Sequence, residues 1–172
     1  MMLHLAEIAK LVTGFILLAA AWGKTRTYHQ FKQNLTESFY VPTAASRWLT
    51  PLIILAEWGL AALLLTNRVN PYPLMLASLA LFSIFTCVVI YLLAKDEVVK
   101  CSCFGEQKRP ISQLDLIRNL GLISAIGFYL AVAQPQVSYG GSELLLLGSI
   151  AAIISILAVN FHELTHLLIG ST

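Results

Sequence analysis

Two cysteines stand one residue apart in the polar stretch "VVKCSCFGEQKRPISQLDLIRN". An exposed thiol pair can form a disulfide, supply half of a metal site, or react in sequence as nucleophile and resolving thiol. A bond between Cys101 and Cys103 would close a very small ring, and strain makes such a disulfide easier to reduce. The spacing therefore favours redox exchange over a structural disulfide, with an incidental thiol pair and a partial metal site as alternatives.

The residues around the pair favour reactive thiols in irregular backbone. Lys100 and Lys108 would stabilise a thiolate, which is the reactive form of cysteine, and Gly105 and Pro110 are typical of a loop. Zinc needs four ligands, whereas this loop supplies two cysteines and no histidine. The chain has no CxxC motif of its own, so an exchange reaction would require a partner protein.

The rest of the chain is too apolar for a soluble domain. It is 58% hydrophobic and 12% charged, whereas soluble domains carry about 25% charged residues. The net charge of +2 and the lack of a basic stripe argue against a nucleic-acid partner. We therefore predict an all-α integral membrane protein.

Five segments are long enough to cross a bilayer, which takes roughly 20 apolar residues per helix. The predicted spans are Ile8–Trp22, Trp48–Thr66, Pro73–Ala94, Leu116–Val132 and a fifth that begins at Glu143. A cleaved signal peptide is the alternative for the first span. In the loop that follows it, Phe31, Leu35 and Phe39 recur at helical spacing, which predicts either a short interfacial amphipathic helix or a solvated loop.

Five spans place the first basic loop, the cysteine loop and the C-terminal tail on one face of the membrane. Lysines and arginines are concentrated in these segments, so the positive-inside rule places the cysteines toward the cytoplasm. Disulfides persist more readily on the outer face. The two arguments disagree, and the orientation stays open.

The run "CSCFG", followed by "IRN" at the start of the fourth span, resembles the MauE family of methylamine utilisation, whose architecture is related to DoxX-like proteins. Lys24 at the end of the first span and Glu57 before a leucine-rich run agree with it. The resemblance covers residues 8–133. It implies a DoxX-like four-helix transmembrane bundle over residues 1–135, with an additional transmembrane helix and tail over 136–172.

The resemblance implies a multi-pass protein of the bacterial plasma membrane that supports maturation of a disulfide-containing client. In the family, the client is the small subunit of methylamine dehydrogenase, and a thioredoxin-like protein takes part. Cys101 and Cys103 would be the catalytic residues of a thiol–disulfide oxidoreductase, with the thioredoxin-like protein or a membrane quinone as electron partner. The expected supporting residues are Lys24, Glu57, Phe104, Gly105, Arg118 and Asn119. A non-catalytic scaffold that docks a thioredoxin-like partner is the alternative.

Several residues inside the spans allow two interpretations. Glu57 is either a functional carboxylate or a protonated packing residue that hydrogen-bonds to a Ser, Tyr or Asn. Lys24 and Arg118 lie near span ends, where they would orient the loop or an anionic ligand, or act as interfacial anchors. Cys87 is expected to be a small packing residue, with a third redox role as the alternative.

The tail contains "FHELTHLLIG", which fits a His-Glu-x-x-His zinc motif. On a helix, His162 and His166 would share one face, and Glu163 could act as general base of a membrane metalloprotease. Catalytic zinc needs a third protein ligand, and the motif lies close to the end of the sequence. The alternative is an amphipathic, interfacial end to the last helix.

Overall fold

A computed structural model describes residues 2–37, 41–66, 69–94, 113–132 and 141–161 of the chain. The described residues form helices and no strand, which confirms the all-α prediction. The helices are α1 (Met2–Arg26), α2 (Tyr28–Glu37), α3 (Thr43–Thr66), α4 (Pro71–Ala94), α5 (Gln113–Val132) and α6 (Gly141–Val159). Five of them, all except α2, are long and apolar enough to cross a membrane.

The first span is longer than the sequence predicted, because its ends carry charged residues that the bundle accommodates. Glu7 lies in the added N-terminal part and pairs with Lys10 of the predicted span, and Lys24 lies in the added C-terminal part and pairs with another helix. A charged residue in a span is tolerated when it is paired and faces the bundle interior. The positions of charged residues in the sequence therefore did not indicate where α1 begins and ends.

Helix α1 is the centre of the bundle. In its most apolar window 67% of the residues are buried, against 28% or less in the other four spans. It packs against α3, α5 and α6, and α4 packs along α5. The other spans thus present much of their apolar surface outward, as a lipid environment requires.

Helices α1 and α3 are antiparallel and approach each other closely at Gly14. A Cβ atom at this position would lie 3.0 Å from Cγ and Cδ2 of Leu65. Small residues are enriched where membrane helices pack tightly, because they let the backbones approach. Gly14 is near the middle of α1 and Leu65 near the end of α3, so this contact sets the register in which later residues of α1 meet earlier residues of α3.

The segment between the first two spans is a helix, α2, which is one of the two alternatives that the aromatic spacing left open. Phe31 and Leu35 are buried, and α2 packs against α3; Phe39 lies outside the described residues. Helix α6 packs on α1 through Leu147 and Ala151, both of which belong to the core.

Candidate functional site

A buried ion pair joins the first and third helices. Nζ of Lys24 donates a hydrogen bond to Oε1 of Glu57 across 2.5 Å, and the two residues are 33 positions apart in the chain. Each is only 1% exposed. Placing a charged side chain inside a membrane span costs several kcal/mol unless it is paired, so each residue depends on the other.

Two aromatic rings complete the surroundings of the ammonium group. Nζ of Lys24 lies 5.5 Å from the ring centroid of Phe31 and 4.8 Å from that of Phe85. A cation this close to an aromatic face is stabilised by about 0.5–2 kcal/mol, with the larger values in desolvated sites. Phe31 comes from α2 and Phe85 from α4, so four helices converge on one charge.

The second oxygen of the Glu57 carboxylate is not hydrogen-bonded to Lys24. Oε2 of Glu57 is buried and has no hydrogen-bond partner among the residues that the structure describes. A cavity of about 20 Å³ lies beside the pair, lined by apolar side chains of α1 and α4 together with Lys24, Glu57 and Asn119. A volume of this size admits about one water molecule. The site therefore combines an ion pair, a carboxylate oxygen that can accept a hydrogen bond, and space for about one water molecule.

The fifth helix adds polar residues on its buried face. Asp115 and Asn119 are both buried, and Nη1 of Arg118 lies 3.5 Å from Oδ1 of Asp115. Asp115 lies about one turn closer than Asn119 to the start of α5 at Gln113, and Arg118 lies one residue closer. Polar side chains thus extend from the cavity toward the end of α5 that follows the cysteine loop.

The region with these features matches a known protein family. The model described as "Methylamine utilisation protein MauE" matches residues 2–132. The chain belongs to the MauE family. No curated protein and no solved structure matches the chain. The matched region contains α1 to α5 and hence every residue of the site, whereas α6 lies outside it.

The structure brings together three residues that the MauE resemblance had singled out. Lys24, Glu57 and Asn119 line the same cavity, and Arg118 lies one residue before Asn119 on α5. The other site residues lie outside the described part of the chain: Cys101, Cys103, Phe104, Gly105, His162, Glu163 and His166. Within the described part, no group of three or more His, Cys, Asp or Glu residues could hold a metal ion.

Some interpretations of single residues were wrong. Lys24 is not an interfacial anchor, because its side chain turns into the bundle toward Glu57. Glu57 is not held by a Ser, Tyr or Asn, because its bonded partner is a lysine. The Arg118 side chain is also mostly buried and pairs with Asp115. Cys87 is exposed on α4 rather than packed between helices.

Sequence reasoning missed the partners that make the site. Phe31 was not expected to contact Lys24, and Phe85 and Asp115 were not singled out. Asp115 has a local signal, since it precedes Arg118 by three residues and Asn119 by four, which places all three on adjacent parts of one helix face. The two rings have no such signal, because their contact with Lys24 depends on how separate helices pack.

Proposed function

We propose that this multi-pass membrane protein supports the maturation of a disulfide-containing client by thiol–disulfide exchange at Cys101 and Cys103. The observation that carries the proposal is the CxC pair in the segment between α4 and α5. These two helices also supply Phe85 and Asn119 to the buried polar site. The chain also belongs to a family of methylamine-utilisation proteins, and the resemblance to that family implies a role in maturing another protein.

The exchange would proceed in two balanced steps. The thiolate of one cysteine attacks a client disulfide, so that a sulfur–sulfur bond to the client forms while the client's own bond breaks and its second sulfur leaves as a thiolate. The other cysteine then attacks the mixed disulfide, which leaves two client thiols and a Cys101–Cys103 disulfide. The same steps in reverse deliver a disulfide to the client.

The loop must exchange electrons with a second partner to act again. A thioredoxin-like protein would do this by a further thiol–disulfide exchange, and a membrane quinone by accepting two electrons and two protons from the thiols to become a quinol. The cavity of about 20 Å³ beside Lys24 has no room for a quinone ring, so we assign no quinone to it. Oxidation of the purified protein by a quinone alone, without added thioredoxin-like protein, would separate the two partners.

The family suggests the setting. We propose the bacterial plasma membrane as the location and the small subunit of methylamine dehydrogenase as the first client to test. The supporting residues fall into two groups. Phe104 and Gly105 would shape the loop that carries the thiols, and Lys24, Glu57, Arg118 and Asn119 would form the polar region at the bundle end from which the loop emerges.

Serine substitution tests the proposal. Cys101→Ser and Cys103→Ser should each abolish formation of correctly paired client, measured as the disulfide content of the client by mass spectrometry after thiol alkylation. Cys87→Ser is the matched control, because Cys87 is exposed on α4, and it should leave maturation unchanged. Normal maturation with both loop cysteines replaced would reject the exchange reaction and favour a non-catalytic scaffold.

A further inference from the structure

The unused oxygen of Glu57 differs from the buried hydroxyl groups of the bundle. Thr13, Ser78, Thr86 and Ser155 all donate their hydroxyl groups to the carbonyl four residues earlier in the same helix. Such bonds satisfy a hydroxyl locally. Oε2 of Glu57 has no hydrogen-bond partner among the described residues, whereas buried polar atoms are nearly always hydrogen-bonded to protein or to water.

We propose that Glu57 is a proton-exchanging carboxylate inside the membrane, which takes up and returns a proton through a water molecule in the adjacent cavity. The cavity has the volume of about one water, and Glu57 and Lys24 both line it. A water there would donate a hydrogen bond to Oε2. It would also connect the carboxylate with Asn119, which lines the same cavity.

The charges of Lys24 and Glu57 allow the carboxylate to gain and lose a proton. When Glu57 is ionised, the pair with Lys24 is neutral. When a proton arrives, a bond between oxygen and hydrogen forms at Oε2, the corresponding bond of the donor breaks, and a net charge of +1 remains on Lys24. The rings of Phe31 and Phe85 lie close to that ammonium and stabilise it without its carboxylate partner. The charged groups nearest to the cavity on the fifth helix are Asp115 and Arg118.

The position of the site suggests which proton it handles. Asn119, Arg118 and Asp115 lie between the cavity and the start of α5, which follows the cysteine loop in the chain. A loop thiol must lose its proton before its sulfur attacks. Glu57 is the buried carboxylate that would accept this proton, and it lines the same cavity as Asn119. This step rests on the proposed exchange function, whereas proton uptake by Glu57 does not.

Infrared difference spectroscopy tests proton uptake directly. The full chain in lipid nanodiscs is compared between mildly alkaline and mildly acidic pH, and the carbonyl band of protonated carboxyl groups is recorded. We expect a component of this band that is absent from Glu57→Gln and that shifts promptly in deuterated water. Glu7→Gln is the matched control, because Glu7 is also buried and also pairs with a lysine of α1, and it should retain the component. A variant with Cys101→Ser and Cys103→Ser should retain it as well, which separates this result from the fate of the exchange function.

Identical spectra for wild type and Glu57→Gln, or a component that does not shift in deuterated water, would overturn the proposal. If Glu57→Gln does not fold, Lys24→Met/Glu57→Gln replaces it, because this double variant leaves no buried charge without its partner. In the maturation assay, Glu57→Gln should slow client exchange about 100-fold, as expected for the loss of a proton acceptor, with less slowing at alkaline pH, where thiols ionise unaided. A slowing that is the same at every pH would show a structural role and would reject the coupling to the thiols.

Discussion

Helix α1 carries two buried ion pairs near its two ends, and they are built differently. Glu7 and Lys10 are three residues apart on the same helix, with 2.6 Å between Oε1 and Nζ. Lys24 instead reaches Glu57 on another helix, 33 residues away. The first pair can form as soon as α1 forms, whereas the second requires α1 and α3 to pack in the correct register.

The comparison of the two pairs shows how a buried lysine can bring residues of several helices together in one site. A pair within one helix can form without the packing of a second helix against it. The pair between helices joins α1 to α3, has Phe31 and Phe85 close to its ammonium, and leaves one carboxylate oxygen without a hydrogen-bond partner among the described residues. We therefore expect the two pairs to respond very differently to substitution.

The largest effect is expected when the pair between helices is broken. Lys24→Met leaves the carboxylate of Glu57 buried without a cation, which should lower the free energy of unfolding by about 3–5 kcal/mol. The measurement is equilibrium unfolding in mixed micelles. Lys24→Met/Glu57→Gln removes both charges and should recover most of this loss. A double variant as unstable as the sum of the two single variants would show that the residues are not coupled.

A smaller effect is expected for the pair within α1. Lys10→Met should lower the free energy of unfolding by about 1–2 kcal/mol, because the partner Glu7 lies near the helix end, where a small adjustment brings water to the carboxylate. The same unfolding assay checks it. A loss equal to that of Lys24→Met would contradict the distinction between the two pairs.

The aromatic contacts of Lys24 should contribute less again. Phe85→Leu should lower the free energy of unfolding by about 1 kcal/mol more than Phe15→Leu, because only Phe85 lies over the ammonium. Both phenylalanines are partly buried, so the loss of packing is matched. Equal losses for the two variants would mean that the ring does not stabilise the charge.

The smallest effect concerns the helix contact that sets the register of the pair. An added Cβ at Gly14 would lie 3.0 Å from Leu65, whereas one at Gly59 would meet no described atom within 4 Å. Gly59→Ala should therefore stabilise the protein by up to about 1 kcal/mol through helix propensity. Gly14→Ala should gain less than this or lose stability, because Leu65 must move. Equal gains in the unfolding assay would argue against a close contact at Gly14.

The sequence was sufficient to predict the helices and their membrane-spanning character, because apolar runs of this length leave few other folds. Through the family resemblance it also singled out Lys24, Glu57 and Asn119 as expected supporting residues, and these three line one cavity. It did not predict that Lys24 and Glu57 pair with each other. Their contact depends on the antiparallel packing of α1 and α3, which no spacing within either segment encodes.

The surroundings of Lys24 and of Cys87 explain why the predictions for these two residues were wrong. Lys24 lies near the end of its helix, where a lysine usually extends toward the interface; the buried carboxylate of Glu57 and two aromatic rings draw it inward instead. Cys87 is apolar enough for the interior, but its position on α4 faces away from the neighbouring helices. Which face of a uniformly apolar helix is buried cannot be read from its composition, since every face is compatible with lipid.

The most direct test of the exchange function is to trap its covalent intermediate. A protein with Cys101→Ser or Cys103→Ser, expressed together with its client and a thioredoxin-like partner, is quenched with acid, alkylated and separated without reducing agent. We predict that one of the two variants accumulates a mixed disulfide with one of these proteins, identified by mass spectrometry of the linked peptides, and that Cys87→Ser accumulates none. The absence of any mixed disulfide from both variants, with the client fully matured, would contradict the account.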